Sequence, residues 1–243
     1  MQIGLKLFPQ VEEKYVDKLA ALVDFIEIFA KPEAEYSFVT KYGLPVIVHA
    51  SHSEFGTNFC NPDKAETNEK FLNWAKTLAD RFNSSKIIIH PEFIENDRCT
   101  TEYLCNFIKK HYDPRFLIES MPFAYGELKY QFLCYGPDQI KNVMQKCSIG
   151  FCLDLNHSSH SAYGQNIPLE TLLKSLIELG PKHFHISDAD LTKGNAKHLN
   201  LFDGNMDLKL IKSLLPANAQ ITVETPSGNL EKQKKEIEFL RSE

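Results

Sequence analysis

The chain alternates between two spacings of apolar residues. Short runs rich in Ile, Val and Phe recur at QIGLKLF (2–8), DFIEIFA (24–30), PVIVHA (45–50), KIIIHP (86–91), RFLIES (115–120), IGFCLDL (149–155), KHFHIS (182–187) and QITVET (220–225). Their length and residue types predict buried strands. Between them, PDKAETNEKFLNWAKTLADRF (62–82), TTEYLCNFIKKHY (100–112), PDQIKNVMQK (137–146), PLETLLKSLIEL (168–179), DLKLIKSLL (207–215) and NLEKQKKEIEFLRS (229–242) space their apolar residues as one buried face of a helix does. Pro62, Pro137 and Pro168 stand near the first turns, where proline is tolerated. EAEYSFVTKYG (33–43) predicts a weaker helix stopped by Gly43.

Strands that alternate with helices pair in parallel through right-handed crossovers, since each connection is long enough to cross back over the sheet. Eight such units in 243 residues predict an α/β fold, a (β/α)8 barrel, whose usual length is about 250 residues. An open doubly wound sheet is the competitor, but no G-x-G-x-x-G turn follows the first strand. No Pro-, Gly- or Ser-rich linker interrupts the pattern, so residues 1–243 read as one domain.

Composition narrows the class. With 43% hydrophobic and 24% charged residues the chain is of the ordinary globular type, and a net charge of −5 leaves no basic footprint for nonspecific nucleic-acid binding, although a locally basic groove stays open. The six cysteines show no C-x-x-C spacing, the N-terminus has no signal-like core, and no apolar run approaches the roughly 20 residues of a membrane span. The expectation is a soluble, cytoplasmic protein with reduced thiols and no membrane contact; nothing in the pattern selects an oligomeric state.

Polar residues cluster where the strands end, the rim at which such barrels place their active sites. Strand two carries Glu27, strand three ends at His49, strand four at His90, strand five at Glu119, strand six at Asp154 with His157 beyond, strand seven at His185 and strand eight at Glu224. Carboxylates buried there without a cation would cost several kcal/mol each or take up protons. A divalent metal removes the problem. Glu119, Asp154, His185 and Glu224 make a hard set suited to Mn2+ or Mg2+ and compatible with Zn2+, Co2+ or Fe2+; adding His49, His90, His157 and His198 tilts it toward Zn2+ and toward more than one ion.

Each residue also has a plainer reading. The four acidic and imidazole groups could form an ion-pair network, but no Lys or Arg stands beside them in sequence. His49 and His90 could be hydrogen-bonding pocket walls, and Glu27 either a solvated strand end or a substrate contact. His52 and His160 read as loop histidines at the surface, although either could line a pocket; His183 shares strand parity with His185 and so fills a deeper layer, and His111 ends a helix. DGNMD (203–207) reads as a turn and helix cap, or as backbone amides for a phosphate.

The motifs IVHAS, IIIHPE, LIESMP, CLDLNH, FHISD, HLNLFDGNMD and VETP, in this order over nearly the whole chain, resemble the xylose-isomerase-like TIM barrels. That superfamily holds sugar isomerases and epimerases and the type IV apurinic endonucleases. The resemblance implies a metal on Glu119, Asp154, His185 and Glu224. In epimerase-like members the two Glu positions also move the proton, so Glu119 and Glu224 would be ligands and acid-base groups, with His157 touching a substrate oxygen. Glu27, His49, His90, His157 and His198 would then line the substrate. The endonuclease branch adds two zinc ions, one on the positions of His49 and His90, another on those of His157 and His198 with an Asp that is here Ala196. FIEIFA on strand two and the absence of a Tyr after His49 resemble the isomerases more. The expectation is a metal-dependent sugar isomerase or epimerase acting on a small carbohydrate-like substrate. An endonuclease-IV-like zinc phosphodiesterase on abasic DNA or a small phosphate ester is the alternative, and a sugar sensor without turnover a third reading.

Overall fold

The computed structural model describes residues 1–32 and 34–242. These form eight parallel strands, β1 (Gln2–Leu7), β2 (Phe25–Ala30), β3 (Val46–Ala50), β4 (Ile87–Ile89), β5 (Phe116–Glu119), β6 (Gly150–Asp154), β7 (His183–Ile186) and β8 (Gln220–Val223), paired in chain order and closed by β1 against β8. The helices are α1 (Glu13–Val16), α2 (Ala65–Arg81), α3 (Thr101–Lys110), α4 (Pro137–Cys147), α5 (Leu155–Gly164), α6 (Leu169–Ile177), α7 (Leu208–Leu214) and α8 (Leu230–Arg241). The expected TIM barrel is thus found, with each predicted strand present and slightly trimmed. No described helix is long and apolar enough to cross a membrane.

Strand parity divides the chemistry. Ile3, Leu5 and Leu7 of β1, and their equivalents such as Ile26, Ile28, Val48, Ile87 and Ile118, face outward into the main core beneath the helices. The alternate residues point inward, where Phe25, Ile47, Ile88, Leu117 and Cys152 form a small separate cluster low in the barrel. Gly4 makes this layer possible, since a Cβ there would lie 2.1 Å from the Phe25 ring. Two residues further along the same strands, the inward side chains are Glu27, His49, His90, Glu119 and Asp154, because the period of a strand is two. An apolar layer therefore supports a polar one.

Two connections differ from the sequence expectation. The stretch 33–43 forms a 3-10 helix over Ser37–Tyr42, ended by Gly43 at φ 62°; Glu33 lies outside the described residues. After β6 the chain turns at once into α5 instead of a loop, and this helix is buried from Leu155 to Ala162. Asp154 caps it by accepting the His157 amide at 2.7 Å, and the hydroxyls of Ser158 and Ser159 donate to carbonyls four residues back, both at 2.7 Å. These local bonds compensate the poor helix propensity of Asn, His and Ser.

Candidate active site

Glu119, Asp154, His185 and Glu224 come from the ends of four strands and each offers a donor atom within 4.8 Å of the others. Each also turns a buried atom inward: Glu119 Oε1 and Asp154 Oδ2 have no hydrogen-bond partner among the described residues, and His185 Nδ1 and Glu224 Oε2 face each other at 2.8 Å. Three carboxylates converging on one imidazole, two of them with an unpaired oxygen, would be expensive unless further positive charge sits among them. The rest of each side chain is held. Asp154 Oδ1 caps α5, and Glu224 Oε1 accepts from Lys6 Nζ at 2.6 Å. Glu119 Oε2 lies 3.1 Å from His49 Nε2 and 3.3 Å from His90 Nε2.

The histidines are oriented by their far nitrogens. His185 Nε2 donates to Glu27 Oε2 at 3.0 Å, which leaves Nδ1 facing the three carboxylates. Glu27 Oε2 also accepts from Thr222 Oγ1 at 2.7 Å and lies 3.2 Å from His183 Nε2. His49 Nδ1 donates to the Ala50 carbonyl at 2.7 Å and His157 Nδ1 to the Ser120 carbonyl at 2.9 Å, since a carbonyl can only accept. In its neutral form His49 therefore turns a bare Nε2 toward a carboxylate, a contact that a proton or a cation must mediate. A carboxylate behind an imidazole whose other nitrogen faces an acidic cluster is the usual support of a metal-binding histidine. The donor set fits a divalent ion.

Electrostatics agree with the geometry. Burial pushes the Asp154 carboxyl up to about 7, with Glu119 and Glu224 adding to it against the pull of His198. Burial also opposes ionisation of Glu119 and Glu224, but His90 and His185 hold Glu119, and Lys6 and His185 hold Glu224, well below the usual carboxylate range. His185 is raised well above an ordinary imidazole despite its burial, by Cys152 and by Glu27, Glu119 and Glu224. Burial pulls His49 and His157 down to about 4, so both are neutral and fit to be ligands or hydrogen-bond partners near pH 7.

Above the cluster opens a cleft of about 310 Å³, with Glu224 in its wall, His52, His90, His157 and His198 around it and Phe8, Met121, Leu128 and Phe132 as its apolar side. Its roof joins two loops: Leu128 N donates to the Gly194 carbonyl at 3.0 Å, and the Tyr125 hydroxyl donates to the Leu191 carbonyl at 2.7 Å. Another cleft of similar size, about 330 Å³, lies by Tyr15 and Gly228. Its Glu12 and Lys14 pair with each other in solvent, so the convergent chemistry is at the barrel mouth.

The structure brings most of the expected residues together and revises several readings. His49 joins Glu119 and His185 in one group of donors, and His157 and His198 join Asp154 in another, which supplies a third donor where Ala196 offers none. His90 is beside His49, ring centroids 4.9 Å apart, and lines the cleft. Glu27 is not solvated: it is fully buried below the rim behind His185. His183 does fill that deeper layer, with Nε2 2.8 Å from Thr222 Oγ1. His160, expected at the surface, is buried on α5, where its Nδ1 lies 2.7 Å from the Tyr125 hydroxyl. His52 stacks on His90 at 5.1 Å. The amides of DGNMD serve no phosphate, because Asp188 takes those of Gly204 at 2.9 Å and Met206 at 3.2 Å, with that of Phe202 at 3.0 Å. Sequence reasoning missed Lys6 and Glu92; the signal for Lys6 was a lone cation at an inward position of an otherwise apolar strand.

Residues 16–243 match the model of the xylose isomerase-like TIM barrel family. No curated protein matches the sequence. Among solved structures, a D-tagatose 3-epimerase-like protein superposes with a TM-score of 0.74 at 16% identity, covering 98% of this chain and 96% of its own. Endonuclease IV from Thermus thermophilus gives 0.74 at 18% identity, with 99% and 98% covered. The D-psicose 3-epimerase from Clostridium cellulolyticum, solved with D-tagatose, gives 0.64 at 14%, with 98% and 90% covered. The family match over most of the chain, on a closed eight-stranded barrel with its acidic and imidazole groups at the strand ends, places this protein in the xylose isomerase-like TIM barrel family.

Proposed function

We propose that the chain is a divalent-metal-dependent isomerase or epimerase of a sugar or another polyhydroxy carbonyl compound, acting by proton transfer at the carbon next to the carbonyl. The observation that carries this reading is the pair Glu119 and Glu224 on different strands, which turn Oε1 and Oε2 into the same buried space, Glu119 Oε1 without a hydrogen-bond partner and Glu224 Oε2 2.8 Å from His185 Nδ1 while Lys6 holds its other oxygen. Two such carboxylates on different strands can take a proton from one face of a carbon and return it to another. Glu119, Asp154, His185 and Glu224 would hold the ion, with Mn2+ or Zn2+ the first candidates and Mg2+, Co2+ and Fe2+ compatible with the donors. A bound divalent ion supplies Lewis acidity that draws electrons from the carbonyl and makes its neighbouring C–H more acidic.

The remaining groups position the substrate. His157, with Nδ1 tied to Ser120, offers Nε2 to a substrate hydroxyl, and His90 and His198 flank it in the cleft wall. His49 and Glu27 act behind the donor groups, on Glu119 and His185. The epimerase neighbours make a sugar the natural class of substrate, and six free, buried cysteines suit a reducing compartment such as the cytoplasm. The test is solvent exchange. Metal-loaded protein in D2O should place deuterium at the carbon next to the carbonyl in at least one of a panel of ketoses, ketose phosphates and inososes, and chelation should abolish it. No exchange into any of them would sink the reading.

One observation favours a second reading, a zinc phosphodiesterase acting on abasic DNA or a small phosphate ester. The groups His49–Glu119–His185 and Asp154–His157–His198 could hold further ions beside the first. Two or three zinc ions per chain, together with chelator-sensitive cleavage of an abasic-site oligonucleotide, would favour it over the isomerase.

A further inference from the structure

Lys6 projects from β1 into the barrel, opposite Glu27 in the strand register, and is 1% exposed. The centroids of the Phe8 and Phe29 rings each lie 6.0 Å from its ammonium. Its Nζ is 2.6 Å from Glu224 Oε1 and 3.4 Å from Glu27 Oε1. Glu27 in turn fixes the Nε2 of His185 through its other oxygen. One buried cation thus ties down both Glu224 and, through Glu27, His185, whose Nδ1 lies 2.8 Å from Glu224 Oε2. A barrel interior has cheaper ways to fill this space, since burying a lysine costs more than burying an apolar side chain of similar volume unless every contact is made.

We propose that Lys6 is a positioning residue of the centre: it holds Glu224 Oε1 so that Glu224 meets the metal through Oε2 alone. The proposal rests on the metal reading above. The ammonium occupies one oxygen and repels a divalent ion from that side, so chelation by both oxygens is closed off and a second cation near Glu27 and Glu224 is unnecessary. Glu224 then keeps a fixed direction toward the cleft. Lys6 itself touches no substrate.

Co2+ reports both affinity and coordination number, so the experiment is a Co2+ titration of the full chain and of Lys6→Met, followed by calorimetry and visible absorption. Removing the ammonium frees Oε1 and removes a repulsive charge. Lys6→Met should therefore bind Co2+ as tightly as the unmodified protein or up to tenfold tighter, with weaker visible absorption because another oxygen has joined the ion. A lysine that only stabilises the fold would give the opposite, binding weakened more than tenfold with an unchanged spectrum; that result, or an unchanged spectrum at any affinity, overturns the proposal. If Lys6→Met does not fold, crystals of the unmodified protein with Mn2+ decide. Oε1 on Lys6 and Oε2 alone on the ion supports the proposal, and both oxygens on the ion overturns it. Failure of the unmodified protein to bind Co2+ would overturn the metal reading and this proposal together, whereas binding with a two-oxygen Glu224 overturns this proposal alone.

Discussion

Asp154 shows how much one side chain can be asked to do. One oxygen caps α5 and the other is left bare among Glu119, His185 and Glu224, at a carboxyl that burial pushes up to about 7. The two tasks separate in Asp154→Asn, because Asn caps helices as well as Asp does. The variant should keep the metal-free melting temperature or raise it, as the strained charge is gone, while Mn2+ affinity falls at least tenfold by calorimetric titration. A fall in metal-free stability of more than about 1 kcal/mol, the usual worth of a lost cap, would show that the charge itself supports the fold. At this scale Glu119, Asp154, His185 and Glu224 were legible as candidates, since each ends an apolar strand run, and the structure brings their donor atoms together. Lys6 stayed hidden because apolar residues continue past it on β1, and its partners Glu27 and Glu224 are 21 and 218 positions away.

At the scale of elements, the eight strands were legible because parallel strands buried on both faces are nearly continuous apolar runs. Helix α5 was not. LNHSSHSAYG has no amphipathic stripe, and what makes it helical is the Asp154 cap and contacts from other strands and loops, among them the Phe123 amide donating to Ser161 Oγ at 2.9 Å. The cleft roof depends on similar long-range fits. Gly194 has φ 59°, and a Cβ on it would lie 2.6 Å from the Tyr125 carbonyl oxygen. Gly194→Ala should lower stability by about 1–2 kcal/mol, from the left-handed backbone and the forced separation of the two loops. Binding of the ion at Glu119, Asp154, His185 and Glu224 should not change, since these four stand on or directly after the strands and not on either loop segment. Thermal melts paired with elemental analysis check both halves; loss of metal in this variant would mean that the roof shapes the centre.

For the whole molecule, the proposed metal would compete with protons. His185 is raised well above its ordinary value, so its contribution is fully present below the unfolded value near 6.5 and is lost as pH rises through the folded one. Asp154, an acid raised to about 7, is increasingly destabilising as pH climbs toward that value. Across neutrality both groups make the metal-free barrel weaker at higher pH. A divalent ion needs both deprotonated, so its affinity should rise with pH, by up to about tenfold per pH unit for each proton displaced. Mn2+ should accordingly raise the melting temperature more at pH 8 than at pH 6 by scanning calorimetry; an equal rise at both would mean that these groups carry no proton for the metal to displace. The carboxylates of Glu27, Glu119 and Glu224, whose values are lowered, act elsewhere: their stabilisation is present above the ordinary carboxylate range and is lost on acidification below it.

The ordered strand-end motifs carried the family from the sequence alone, whereas the distinction between one ion and several depends on distances between residues that no spacing along the chain encodes. The most direct measurement is anomalous scattering from crystals soaked with Mn2+ or Zn2+. The account predicts a peak at about 2.0–2.3 Å from donor atoms of Glu119, Asp154, His185 and Glu224 at once. Density at that point for neither metal, or a peak held only by other residues, would contradict it.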